Sequence, residues 1–62
     1  MEKTEFQTMA FNLNTMKNNG NDALDCLIFA TGRGVEYPDA LWMITRLFGL
    51  DDDAVSELED RY

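Results

Sequence analysis

The chain has no histidine and a single cysteine, Cys26, among its 62 residues. The absence of histidine excludes histidine-based catalytic triads and the zinc sites that use imidazole ligands. One cysteine cannot form a disulfide within its own chain. Cys26 also lies in an apolar run, where a free cysteine usually packs as a small hydrophobic side chain. The fold must therefore be stabilised by packing alone.

Basic residues are scarce, because five lysines and arginines stand against twelve aspartates and glutamates and the formal net charge is −7. Phosphate groups are bound through lysine and arginine, so we expect neither nucleic acid nor an anionic membrane as a partner. Six acids fall within ten residues near the C-terminus, and this charge is compatible with a basic protein as a partner. The residues predicted for such an acidic surface are Asp52, Asp53, Glu57 and Asp60.

Long hydrophobic runs are absent as well. The two most apolar stretches, Ala23–Ala30 and Ala40–Leu50, are too short to cross a bilayer, which takes about 20 residues. Met1–Glu5 is polar, and no cleavage pattern follows it, so we expect no signal peptide. These features predict a single domain of residues 1–62 that is intracellular and does not contact a membrane.

The same two stretches are nevertheless too apolar for so small a monomer. A chain of about 60 residues buries only about 60% of its unfolded surface, and helices that are apolar nearly all round normally lie inside something larger. Oligomerisation is a usual remedy for a small core. We therefore expect a homodimer.

The N-terminal segment is ambiguous. As a helix, it would leave Phe11 off the face shared by Phe6, Met9, Ala10, Leu13 and Met16. As a strand, it would alternate Met9, Phe11 and Leu13 with polar residues. The threonines and asparagines between them are poor helix formers. Periodicity slightly favours a helix and propensity favours a strand, so the residues leave both open.

Turn and capping signals divide the rest of the chain. Lys17–Asn21 predicts a loop, Asn21 or Asp22 can cap the helix that follows, and Gly32 is expected to end that helix in a left-handed conformation. Pro38 fits the first turn of the next helix. Near Gly49 that helix either breaks, with Asp51 capping a final helix through Asp60, or bends and continues.

No pattern in the sequence carries catalytic chemistry. The clustered acids lie on a helix face expected to be solvated, whereas acid–base catalysis needs a sheltered site. The Asp51–Asp53 run lacks the glycine and glutamate of a calcium loop, since Ser56 and Tyr62 occupy those positions. A helix-turn-helix around Gly49 fits the apolar pattern, but its second helix would present acids to phosphates. We expect no enzyme activity, no metal and no cofactor.

Two aromatics lie on helix faces that should be wet, Phe29 on the first predicted helix and Trp42 on the second. Two such residues in a chain already rich in apolar surface indicate intermolecular packing, either across a homodimer or in a cleft that accepts a partner's amphipathic helix. The residues predicted for this interface or cleft are Met9, Phe11, Leu13, Leu24, Leu27, Ile28, Phe29, Leu41, Trp42, Ile44 and Phe48.

The chain resembles the small early proteins of the exo–xis region of lambdoid temperate phages. The resemblance extends from Glu5-Phe-Gln-Thr-Met-Ala-Phe-Asn-Leu-Asn through Tyr37-Pro-Asp-Ala-Leu-Trp-Met-Ile-Thr-Arg-Leu-Phe to Asp60-Arg-Tyr. It implies a protein of the host bacterial cytoplasm that is made early in infection and promotes lytic development. It also implies an intertwined homodimer of chains with two helices and one strand, and it assigns no functional residues.

Residues and resemblance together predict a mostly α-helical fold with one short N-terminal strand and two main helices in an intertwined homodimer. We expect a non-enzymatic early phage regulatory protein that acts through contacts with a host or phage protein. Two other functions are compatible with the residues. One is an acidic decoy that imitates DNA and binds a basic host protein, and the other is a degenerate helix-turn-helix or ribbon-helix-helix protein.

Overall fold

The computed structural model describes residues 3–62, with side chains from Thr4 onward, and within this range the chain forms four helices and no strand. The prediction of an N-terminal strand with two main helices is therefore wrong. The intertwined homodimer built on that strand is wrong with it, because the chain forms a compact globule of its own. The helices are α1 (Lys3–Asn18), α2 (Ala23–Gly32), α3 (Tyr37–Phe48) and α4 (Asp52–Arg61).

Tertiary burial makes the N-terminal segment a helix in spite of its weak propensity. Met9 and Leu13 lie in the core, and Phe6 and Met16 pack against it. The buried residues of this segment therefore follow the 3.6-residue period of a helix. Phe11, which the strand would have buried, is 70% exposed. The threonine hydroxyls donate back along the helix, Thr8 to Thr4 O and Thr15 to Phe11 O. Packing thus overrides the weak helix propensity of these residues, which is at most about 0.7 kcal/mol per residue less favourable than that of alanine.

Asp22 caps α2 as predicted, since its Oδ1 accepts a hydrogen bond from the Asp25 N–H at 2.9 Å. The predicted left-handed stop at Gly32 is wrong, because Gly32 stays helical and the positive φ falls on Gly34. The N–H of the next residue, Val35, donates to Ala30 O, and Val35 itself is buried. Placing the turn at Gly34 both closes the helix end and brings Val35 into the core.

The signals in the second half of the chain are confirmed. Pro38 lies in the first turn of α3, and α3 ends at Gly49, which has φ 64°. Asp51 caps α4, with Oδ1 accepting from the Ala54 N–H at 2.8 Å. The alternative of one continuous helix past Gly49 is wrong, because the Leu50 N–H donates back to Thr45 O and closes α3.

Helix α2 is the centre of the fold and packs against α1, α3 and α4, whereas α4 makes little contact with α3. The ring of Tyr62 lies 5.1 Å from that of Tyr37, and its hydroxyl lies 3.0 Å from Thr31 Oγ1, so the end of α4 is tied to α2 and α3. Both apolar stretches hide their inner faces within one chain. The core consists of Met9, Leu13, Cys26, Leu27, Ala30, Val35, Ala40, Met43, Ile44 and Leu58.

Among residues 3–62 there is no helix with the length and apolar character needed to cross a membrane.

Candidate functional site

An apolar groove of about 180 Å³ lies between α1 and α3. Helix α1 contributes Phe6, Ala10 and Leu13, which are spaced three or four residues apart and so share one side of the helix. Helix α3 contributes the opposite wall. We call this feature the α1–α3 groove, and its lining is Phe6, Ala10, Leu13, Trp42, Met43, Arg46 and Leu47.

Trp42 forms an exposed edge of the groove. It is 53% exposed, and its ring centroid lies 6.0 Å from that of Phe6 with the planes tilted by 47°. The guanidinium carbon of Arg46 lies over the Trp42 ring at 5.0 Å. Residues four apart on a helix are neighbours, so the cation–π contact is local to α3. The edge therefore carries two aromatic rings, tilted against each other, with a guanidinium over one of them.

Lys17 links α1 to the last turn of α3 beside one residue of the groove lining, Leu47. Its Nζ donates to Leu47 O at 3.2 Å and lies 5.7 Å from the centroid of the Phe48 ring. Leu47 is in the last turn of α3, where carbonyl groups lack helical partners and a cation is favourable. Lys17 and Arg46 thus place two of the chain's five basic residues beside one apolar groove.

The residues predicted for an interface or cleft divide into three groups. Phe11, Ile28 and Trp42 are exposed. Leu24, Phe29, Leu41 and Phe48 are partly buried, and Met9, Leu13, Leu27 and Ile44 are buried in the chain's own core.

The structure brings only two of these predicted residues, Leu13 and Trp42, into the lining of the α1–α3 groove. Phe11 points away from the buried face of α1, as its 70% exposure shows. The other five lining residues were not predicted for the site, and they are Phe6, Ala10, Met43, Arg46 and Leu47. Phe6 and Ala10 belong to the groove only if α1 is a helix, whereas Arg46 had a readable signal in its position four residues after Trp42.

The predicted acidic residues Asp52, Asp53, Glu57 and Asp60 are all exposed on α4. Glu57 also lines a second groove of about 180 Å³ between α2 and α4. Leu24, Leu50 and Leu58 contribute to its apolar lining, and Arg61 lies on its border. The acids therefore lie on a solvated surface beside this groove rather than in a sheltered site.

A wider open pocket of about 540 Å³ lies between α1 and the loop that joins α2 to α3. Its charged lining residues are Arg33 and three acids, with threonine and asparagine side chains on α1. No polar side chain of residues 4–62 is buried, so this cavity offers no sheltered acid or base. Nor does any cluster in the described part of the chain have the histidine, cysteine or carboxylate ligands for a metal.

Cys26 is buried, and its thiol approaches Leu13 O at 3.9 Å. Burial raises the pKa of the Cys26 thiol, and the negative charges of Asp25 and Asp22 raise it further. A reactive cysteine needs a lowered pKa and access to solvent, so Cys26 serves the core.

This raised pKa predicts a loss of stability at high pH. The folded thiol binds its proton more tightly than the unfolded thiol, so the stabilisation is fully present below the unfolded pKa of about 8.5 and declines as the pH rises above it. Urea denaturation at increasing pH should show this decline, and Cys26→Ser, whose hydroxyl does not titrate in this range, should reduce it. A thiol reagent that labels the folded chain as fast as the unfolded chain would contradict the burial of Cys26.

No protein-family model, curated protein or solved structure matches this chain.

Proposed function

We propose that this chain is a non-enzymatic protein-binding domain and that its α1–α3 groove receives an apolar side chain of the partner. The observation that carries the proposal is the cluster of Phe6, Trp42 and Arg46 side chains at the edge of an apolar groove. Tryptophan and arginine are enriched among the residues that dominate protein–protein binding energy. A half-exposed tryptophan over an apolar groove loses further water contact when a partner covers it.

The size of the groove supports a protein side chain as its occupant. Sites for small molecules usually enclose about 300–1,000 Å³, and the α1–α3 groove has about 180 Å³. Its lining includes one ionisable side chain, Arg46, which has no base or nucleophile beside it there. An anchoring role for an apolar side chain thus fits this groove better than a reaction site.

At the biological level, we propose an early phage regulatory protein that promotes lytic development through such contacts. The sequence resemblance supports this role, although the four-helix fold departs from the strand-containing fold that the resemblance implied. A homodimer stays a prediction from the sequence. The apolar excess that motivated it is smaller than expected, because the chain buries ten hydrophobic residues by itself.

A second candidate function is the acidic decoy, which is supported by the exposed carboxylates of α4. Exposed charges are screened by salt over about 8–10 Å, so capture through α4 should weaken steeply with salt and capture through the groove should not. A helix-turn-helix function has less support. Helix α4 packs mainly on α2 rather than α3. It also presents acidic side chains where a DNA-recognition helix needs basic or amide side chains.

The regulatory proposal is tested by expressing the chain in a lysogen of a lambdoid phage and measuring phage yield after induction. The wild-type chain should raise the yield, and Trp42→Ala should lose the effect because the groove loses its exposed aromatic. Phe11→Ala is the matched control, since Phe11 is also an exposed aromatic but lies outside the groove. A wild-type chain without effect, or a Trp42→Ala chain with full effect, would overturn the proposal.

A further inference from the structure

We infer that the natural occupant of the α1–α3 groove is an amphipathic helix that carries an acidic residue about one turn from its apolar anchor. This inference rests on the proposed function and names the class of partner. It follows from the charge at the groove and from the hydrogen-bonding needs of the bound backbone.

The groove has the opposite charge to most of the molecule. Its single charged lining residue is Arg46, and Lys17 donates to the carbonyl of the lining residue Leu47, in a chain of net charge −7. Arg46 is exposed, and the groove lining holds no carboxylate beside it. The donors of a guanidinium lie in its plane and match a carboxylate. With the Trp42 ring beneath it, Arg46 is held where an acid next to the anchor would meet it.

The secondary structure of the occupant follows from the groove walls. Both walls are helices, whose backbone groups are already bonded along the chain. An extended peptide laid on this apolar lining would leave backbone N–H and C=O groups without partners, which costs free energy. A helix satisfies its own backbone and presents side chains at i, i+3, i+4 and i+7 to such a groove.

A second copy of the chain fits the groove less well. A two-fold dimer through this face would bring two equivalent patches together, and the groove lining of each copy carries Arg46 but no acid to pair with it. The acidic helix α4 of a second copy cannot supply the anchor either, because Leu58 is buried in the core and Val55 is partly buried. We therefore commit to a different protein as the occupant. A second copy, whose exposed Ile28 has Asp25 one turn before it, is the outcome that sedimentation tests.

The experiment uses a displayed library of short, capped helical peptides with a central leucine and with glutamate, lysine or glutamine at positions one turn from it. The library is selected on the wild-type chain, and selected peptides are titrated while tryptophan fluorescence is followed. Trp42 is the only tryptophan, so its emission reports on the groove. We expect glutamate to be enriched, and its replacement by lysine to weaken binding about tenfold.

Charge reversal gives the sharper test. Arg46→Glu should prefer the lysine peptide over the glutamate peptide, and Arg46→Lys should bind the glutamate peptide with intermediate affinity because it keeps the charge but loses the planar fork. Phe11→Ala should behave as the wild type. Circular dichroism of each variant establishes that it is folded.

Three outcomes would overturn the inference, and they separate it from the proposed function. Peptides that change the Trp42 emission with equal affinity for glutamate, glutamine and lysine would leave a protein-binding groove but remove the acidic partner. A library from which no peptide perturbs Trp42 would remove both. If the wild-type chain sediments as a dimer and the Trp42→Ala variant sediments as a monomer, the groove is occupied by a second copy.

Discussion

Replacing Leu27 with alanine is expected to remove most or all of the stability of this protein. Leu27 is fully buried in α2, the helix that packs against each of the other three. Leucine-to-alanine changes in cores cost about 2–5 kcal/mol. Packing alone seldom gives a domain this small more than about 3–5 kcal/mol. Urea and thermal denaturation followed by circular dichroism should show a much lower midpoint or no cooperative transition.

The adjacent residue provides a matched control. Ile28 is 53% exposed, so Ile28→Ala removes a similar apolar volume with little cavity, and its cost should stay near the small values typical of surface substitutions, about 0.5 kcal/mol. Equal losses at the two positions would show that α2 does not direct Leu27 inward and Ile28 outward. The pair therefore tests the register of α2 as well as the size of the core.

The sequence predicted several helix ends correctly because these ends carry local signals. Asp22, Pro38, Gly49 and Asp51 each act through neighbouring backbone groups, and the structure confirms each of them. The left-handed residue that follows α2 was predicted at Gly32, whereas the structure has it at Gly34. Both glycines tolerate a left-handed turn, and the choice between them depends on whether Val35 reaches the core, which is a tertiary contact.

The N-terminal segment could not be assigned from the sequence for a related reason. Its threonines and asparagines weaken a helix locally, whereas the contacts that stabilise α1 come from α2 and α3. The threonine hydroxyls that compete with a helical backbone in other conformations bond to carbonyls one turn earlier in α1. A prediction from residue propensity therefore favours a strand. The helix is stabilised by the burial of Met9 and Leu13 on one of its faces.

Because α1 was predicted as a strand, the sequence did not predict the groove wall that α1 forms. Trp42 was identified because it interrupts the polar face of an amphipathic helix, which is a property of α3 alone. Phe6 and Ala10 complete the groove only when α1 is helical and lies beside α3. Lys17 likewise reaches Leu47 O only through the packing of α1 on α3. A binding site between two helices cannot be predicted more reliably than the weaker of the two helices.

Replacing Trp42 with alanine should separate binding from folding. Trp42 is 53% exposed and lies outside the core, so the loss of stability should be well below that of Leu27→Ala. The loss of the indole should nevertheless reduce the affinity of a selected groove-binding peptide at least about 30-fold, as expected for a binding hot spot worth about 2 kcal/mol. Fluorescence anisotropy of a labelled peptide measures this affinity without using the tryptophan that the substitution removes.

Phe11→Ala is the control here as well, and it should bind the peptide with wild-type affinity because Phe11 lies off the groove face of α1. Circular dichroism melting of both variants shows whether either effect is a loss of folding. If Trp42→Ala melts as early as Leu27→Ala, the indole stabilises the fold. If both aromatic substitutions weaken binding equally, the peptide recognises general apolar surface rather than the α1–α3 groove. Selective loss with Trp42→Ala would identify the exposed indole as the part of this small domain that a partner contacts.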